Sequence, residues 1–271
     1  MKELTGTHVY KYLRWGERET FRSDKSGAVP VPQRSTCASR KLWYDLTTTP
    51  TGVAFWPMSQ QYRHVVPSNP DGLVCNHNLF YIQPRAMKEK DANTLIAVLN
   101  STLIALLKTF YGRFAGTEGN LKTEVVDVKL LHVPQVAAVQ EDLAARIREA
   151  FHSLQRRKCG RMVEALFMDC HDLDHLALIK DRPLELSEEL CQPDRRALDE
   201  AVMELIGVND AAERAQLLEE IYRATAAHYR QIRIVEIQKQ VQRAGGRSRR
   251  LSAADLAAGI WDSLGPEQRG V

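Results

Sequence analysis

Three groups of residues have types and spacings that can do chemistry. The first is Cys170-His171-Asp172-Leu173-Asp174-His175, with Cys159 upstream. Its two imidazoles stand four residues apart, so one helical turn can aim both at a metal ion, with Cys170 or Asp174 beside them. Against a metal, there is no Cys-x-x-Cys and no second ligand pair, and Asp172 stands where a His-Glu-x-x-His hydrolase helix carries its Glu. A partly exposed helix with a buried Cys170 is the plainer reading, and a metal-dependent enzyme at His171 and His175 is the weakest functional one.

The second group is basic and aromatic. Lys11, Arg14, Arg34, Arg40, Lys41, Arg63, Arg113 and Lys122 lie among Tyr12, Trp15, Trp43, Tyr44, Tyr62 and Phe114. Such cations pair with phosphates or guanine edges, and Gln60, Gln61, Asn76 and Asn78 carry the carboxamide that pairs bidentately with adenine. Each has a structural alternative: Trp43 and Tyr44 fill a core, Asn76 and Asn78 satisfy turns, and Arg113 pairs with an acid such as Glu118 or Asp127. The third group is the basic run of residues 230–250, either a second phosphate-contacting surface or a solvated helix face. The eight histidines come with no nucleophile motif, so no Ser/His/Asp set is proposed.

The elements that must position these residues differ along the chain. Residues 9–15, 42–46, 52–56 and 73–82 are β-branched or aromatic runs separated by Gly, Pro, Asn and Ser, which predicts short strands. Residues 91–110 repeat apolar side chains at three and four, predicting one helix capped by Asp91 and ended by Gly112. Residues 121–133 read as a strand stopped by Pro134. Beyond Val136 the pattern is helical: residues 139–154, 161–179 and 194–206 with Gly207 as a stop, a long helix from Asn209 or Asp210 to about Arg243, and a short one over 252–264.

With 271 residues and 44% hydrophobic content the chain can bury a sizeable core. Its longest apolar runs are too short to cross a bilayer, and no apolar leader follows Met1-Lys2-Glu3. Five scattered cysteines fit a reducing cytoplasm better than a disulfide framework. The net charge of +3 is uneven, with 17 Lys/Arg against 11 Asp/Glu in residues 1–135 and 20 against 23 thereafter. The basic half favours a polyanionic partner, with ordinary surface charge as the alternative.

Five strings occur in order: Arg40-Lys41-Leu42-Trp43-Tyr44, Asn76-His77-Asn78-Leu79-Phe80-Tyr81, Leu99-Asn100-Ser101-Thr102, Gly112-Arg113-Phe114-Ala115-Gly116 and Val133-Pro134. This ordered set resembles the C-terminal target-recognition region of N6-adenine DNA methyltransferases from restriction–modification systems. The resemblance covers roughly residues 7–135, with the remainder as a helical companion. It implies a module that chooses the DNA sequence while a separate domain does the chemistry. The tetrapeptide with which such enzymes grip adenine is missing: Ser68-Asn69-Pro70-Asp71 lacks the second proline and the aromatic. A strand–Gly-rich turn–helix cofactor loop is missing too.

The expected architecture is therefore α+β: an irregular twisted-strand DNA target-recognition domain with a packed helix over residues 1–135, followed by an all-helical domain over 136–271. The expected function is sequence-specific recognition of double-stranded DNA, without catalysis by this chain. S-adenosylmethionine is expected only in the catalytic domain. The expected DNA-binding residues are Arg34, Arg40, Lys41, Gln60, Gln61, Arg63, Asn76, Asn78, Arg113 and Lys122. The alternative is a protein-interaction module whose helices dock a methylase or endonuclease subunit. No membrane partner is expected.

Overall fold

Thr7 accepts a hydrogen bond from the Tyr10 amide at 3.1 Å and so starts α1, His8–Arg18, where the β-branched and aromatic run predicts a strand. Burial of Leu13 and Gly16 on one face of that helix, with the Trp43 ring over Gly16, outweighs the strand preference of Val9, Tyr10 and Tyr12. The computed structural model describes residues 4–23, 26–45, 51–85, 87–115 and 119–244. The helix expected over 252–264, the basic residues 247–250, and Leu46, Gly116 and Glu118 lie outside them.

The chain divides after Thr51 into two compact units, not at the composition shift near residue 135. The first holds α1, the antiparallel pair β1 (Thr20–Ser23) and β2 (Ser26–Pro30), a 3-10 turn and the short α2 (Ser35–Ala38). Trp43 and Tyr44 sit in turn structure, not in a strand.

The second unit is α+β. Strand β3 (Ala54–Pro57) pairs antiparallel with β5 (Leu79–Ile82), and β4 (Ser59–Gln61), β7 (Asn120–Lys122) and β6 (Arg113–Ala115) form a three-stranded antiparallel sheet in the order β4-β7-β6. Helices α3 (Glu89–Leu99) and α4 (Thr102–Tyr111) replace the one helix expected over 91–110 and meet at 68°. Lys88, not Asp91, holds the cap position of α3. The strand expected over 121–133 stops at Lys122, because the Glu124 amide donates to Asp127 at 2.8 Å and starts α5 (Val125–Val128).

The helical remainder comprises α6 (Glu141–Gln155), α7 (Ala165–Met168), α8 (Leu173–Ile179), α9 (Glu188–Cys191), α10 (Pro193–Leu205) and α11 (Ala211–Ala244). Residues 161–179 are not one helix, since Asp172 accepts from the His175 amide at 2.7 Å and opens α8 afresh. Gly207, at φ +98°, ends α10 as predicted, and the Gly207 and Val208 amides close onto Glu204 and Met203. Among the described residues no single helix is long and apolar enough to cross a membrane.

Two apolar clusters hold this unit together. One gathers Trp56, Val66, Ile96, Leu99, Ile147 and Leu198 from β3, the segment after β4, α3, α6 and α10. The other lies along α11, whose Leu218, Tyr222, Ala226, Tyr229 and Ile237 recur at helical spacing and pack with Tyr62, Met162 and Phe167. Consecutive residues of α4 serve both, Ile104 the first and Ala105 the second. The first cluster runs from β3 to α10, so strands and helices on both sides of residue 135 share one core.

Candidate nucleic-acid interface

The register of the three-stranded sheet decides which candidate residues share a face. Ser59 pairs with Lys122 and Lys122 with Arg113, while Gln61 pairs with Asn120. Side chains alternate across a sheet, so Ser59, Gln61, Arg113, Asn120 and Lys122 stand on one face, and Gln60 and Leu121 on the other. The exposures agree: Ser59, Gln61 and Arg113 are exposed, whereas Leu121 is buried. Three expected residues, Gln61, Arg113 and Lys122, are thus brought onto one polar surface with Ser59 and Asn120.

The cations on that face are already engaged with acids of the following turn. Arg113 lies 3.2 Å from Asp127, with its own side chain 65% exposed. The Glu124 amide, and then Arg113, hold the Asp127 carboxyl below its usual range. Lys122 pairs with Glu124 at 2.7 Å. Exposed pairs of this kind contribute little to stability and can be exchanged for phosphate at small cost.

Behind the sheet lies a buried polar chain. Gln60 is not free to read a base: its Nε2 donates to the Val65 carbonyl at 2.6 Å, and its Oε1 accepts from the Val65 amide and from Lys108 Nζ. Lys108 is 2% exposed and also donates to His64 Nδ1 at 3.1 Å, while His64 Nε2 donates to the Leu99 carbonyl at 2.6 Å. Burial brings the Lys108 amine down to about 7. Burial and then the Lys108 charge hold the His64 imidazole well below its usual value.

The Leu99-Asn100-Ser101-Thr102 string is buried and is spent entirely on internal bonds. Besides the Leu99 carbonyl, the Asn100 side chain bonds both backbone groups of Val66 and the Ile96 carbonyl, and the Asn100 carbonyl accepts from Arg195. Ser101 caps α4, and Asp199 accepts from the Thr102 amide at 2.7 Å and from its hydroxyl at 2.5 Å. Arg195 in turn is fully buried against Glu189 at 2.8 Å. Burial raises the Glu189 carboxyl, but hydrogen bonds from Arg157 and the Arg195 charge outweigh it and leave the carboxyl below its usual range. The string's polar groups are committed to the frame of the fold.

Gly112, between α4 and β6, and Gly119, just before β7, have equally internal reasons. A side chain at Gly112 would meet Leu121 at 2.6 Å. Gly119 has φ +59°, and any Cβ there would collide with the Tyr62 phenol.

The other expected residues are dispersed. Asn76 accepts from the Asn78 amide at 3.0 Å in a turn before β5, while the Asn78 side chain is exposed. Arg34, Arg40 and Lys41 belong to the first unit, where Arg34 is half-buried and the other two are exposed just after α2. In the same unit Tyr12 and Trp15 are exposed, with ring centroids 5.7 Å apart, and Trp43 lies 6.2 Å from Tyr12. Of the basic stretch on α11, Arg230 is bound by Glu164 and the carbonyls of Arg182 and Pro183. Arg233 is buried against Glu236 and the carbonyls of Phe167 and Cys170. Those two arginines brace the fold and are not available to phosphate.

One basic string escaped the sequence reading: Arg156-Arg157-Lys158-Cys159-Gly160-Arg161 between α6 and α7. Its density of cations was the available signal. Lys158 and Arg161 line a cavity of about 530 Å³ together with Arg63, the one expected residue found there.

Among the described residues no group of three or more His, Cys, Asp or Glu is placed to hold a metal. His171 precedes α8 and faces Arg233 at 3.4 Å, so it does not share a helical turn with His175. Described strands that lead into helices do so without glycine, through residues 31–34, 83–88 and 123–124, so these residues do not fit an S-adenosylmethionine loop. Comparison with protein-family models, with curated proteins and with solved structures returned no match.

Proposed function

We propose that this chain is a DNA-recognition module of an adenine-methyltransferase-like restriction–modification protein, which holds duplex DNA for a separate catalytic domain. The observation that carries the reading is the single face of the β4-β7-β6 sheet, where Gln61, Asn120, Lys122 and Arg113 stand together. Two carboxamides beside two cations suit a surface that reads adenine edges while gripping phosphates, with Gln61 exchanging its 3.4 Å bond to Glu236 for the base. The buried Leu-Asn-Ser-Thr bracket supplies the rigidity that such positioning requires. In this reading S-adenosylmethionine belongs to the catalytic domain, and a methylase or endonuclease subunit is the protein partner. The test is binding of the full chain to a pool of duplexes across a salt series, followed by selection for preferred sequences. A reader of DNA shows affinity that falls steeply with salt and a recovered consensus.

The second reading is docking of a protein subunit. It is favoured by apolar side chains left in solvent on the helices, Leu178 at 79% and Leu173 at 44% on α8 and Ile206 at 43% after α10. The two readings are compatible, since a recognition module needs both a DNA face and a partner face.

A further inference from the structure

Tyr62, the residue after β4, lies in the left-handed region at φ 53°, and its carbonyl accepts from the Met162 amide at 2.8 Å. That bond ties the end of the sheet to the segment after α6. It also sets the next residue on one side, Arg63, beside the preceding residue on the other, Arg161. The segment is fixed at two further points: Arg157 is gripped by Glu189 and Asp194 at 2.6 and 2.7 Å, and the Gly160 amide donates to Glu189 at 2.7 Å. A side chain at Gly160 would meet the Glu189 carboxylate at 3.0 Å, so the close approach favours glycine. Between these anchors Lys158 and Arg161 project as exposed cations.

These bonds gather three cations around one cavity of about 530 Å³, and within the described residues none of the three has an ion-pair partner. Arg63 Nε is buried without any hydrogen-bond acceptor, which costs free energy unless a ligand or water accepts from it. Of the acids on the lining, Glu189 is saturated by Arg157, Arg195 and Gly160, which leaves Asp169 and Glu188. Three unpaired cations against two exposed carboxylates leave a surplus of one positive charge, which suits a singly charged phosphodiester. Arg63 also lines a second cavity of about 410 Å³, together with Arg157.

We propose that Arg63, Lys158 and Arg161 form a phosphate-binding site at this cavity, occupied by a backbone phosphodiester of the DNA. The site itself rests on the cavity and its cations, and only the identity of its occupant rests on the DNA reading. It supplies a second grip on the duplex, apart from the sheet face.

The experiment compares the wild-type full chain with Lys158→Gln/Arg161→Gln and with the same pair plus Arg63→Gln. The double variant changes exposed side chains only and guards against a folding defect in the triple one. Duplex affinity is measured from roughly 50 to 200 mM salt, and the slope of log K against log salt should flatten by about one to two units in the variants. Melting temperatures should stay unchanged. If the wild type binds duplex and both variants match it in affinity and slope, this inference is overturned while the DNA reading stands. A second arm follows the melting temperature with inorganic phosphate against chloride at equal ionic strength. Phosphate stabilisation that the triple variant loses, in a wild type that binds no duplex, overturns the DNA occupant and the DNA reading but supports the anion site. No duplex binding together with no phosphate effect overturns both.

Discussion

The carboxamide of Asn100 bonds Val66 as a neighbouring strand would: its Oδ1 accepts from the Val66 amide and its Nδ2 donates to the Val66 carbonyl, each at 2.9 Å. One side chain at the break between α3 and α4 thereby satisfies both backbone groups of a segment 34 residues away. That segment continues from β4, Tyr62 and His64, so the helix break and the sheet edge are placed by the same residue. Removing it should loosen the frame behind the polar sheet face.

Asn100→Ala should lower stability by roughly 2–4 kcal/mol, because buried donors and acceptors on Val66 lose their partners. Asn100→Asp should cost at least as much, since carboxylate oxygens would face the carbonyls of Val66 and Ile96 that now accept from Nδ2. Urea denaturation of the three proteins checks this, and an Asp variant as stable as wild type would refute the orientation of the carboxamide.

Stability should climb with pH from about 7 towards 9. Unfolded, the Lys108 amine keeps its proton up to its ordinary value of 10.5, but folded it keeps it only up to about 7. Between those values the unfolded chain holds the extra proton, so stability is gained as pH rises and lost as pH falls through 7. Lys108→Met should flatten that climb, whose slope is at most about 1.4 kcal/mol per pH unit. Thermal melts of both proteins over this range read the difference. Above pH 9 burial-raised Cys159 opposes the trend and blurs it.

Arg113→Ala should weaken duplex binding and flatten its salt dependence by about one unit if Arg113 meets a phosphate. The ion pair with Asp127 is mostly exposed on the arginine side, so stability should change by less than about 1 kcal/mol. A lower melting temperature with unchanged DNA affinity would assign Arg113 to the fold alone. Lys122→Ala, paired with Glu124, provides the parallel measurement.

Gly119→Ala should destabilise by about 1–3 kcal/mol or more, combining a left-handed backbone with collision against Tyr62. Gly119→Ala combined with Tyr62→Phe should recover little, because the ring carbons of Tyr62 also stand within reach of the new Cβ. Denaturation midpoints of the single and double variants test this.

Incubated with labelled S-adenosylmethionine and unmodified genomic DNA, the chain alone should transfer no label. The basis is Ser68-Asn69-Pro70-Asp71, in which Asn69 is committed to the loop: its side chain donates to the Gly52 and Leu73 carbonyls and accepts from the Leu73 amide. Protein-dependent incorporation would overturn the division between recognition and catalysis.

Helices α6, α10 and α11 and the stop at Gly207 were legible in the sequence, because a 3.6-residue apolar period and a terminal glycine are local signals. The candidate residues Gln61, Arg113 and Lys122 were legible by type as well. Their common face was not, since the register of β4 on β7 is set by pairings between residues about 60 apart in the chain. The apolar period also runs unbroken through Leu99 to Leu103 and so masked the break there, although Ser101 is a residue type suited to capping a new helix. What bends the chain is a set of distant groups: His64, Arg195 and Asp199 each satisfy a backbone group that the helix gives up, and Val66 bonds the Asn100 carboxamide. The same reason separates the arginines. By sequence Arg63, Arg161, Arg230 and Arg233 are alike as cations, and only the acids and carbonyls that folding brings up to Arg230 and Arg233, and not to Arg63 or Arg161, decide which remain to meet an anion.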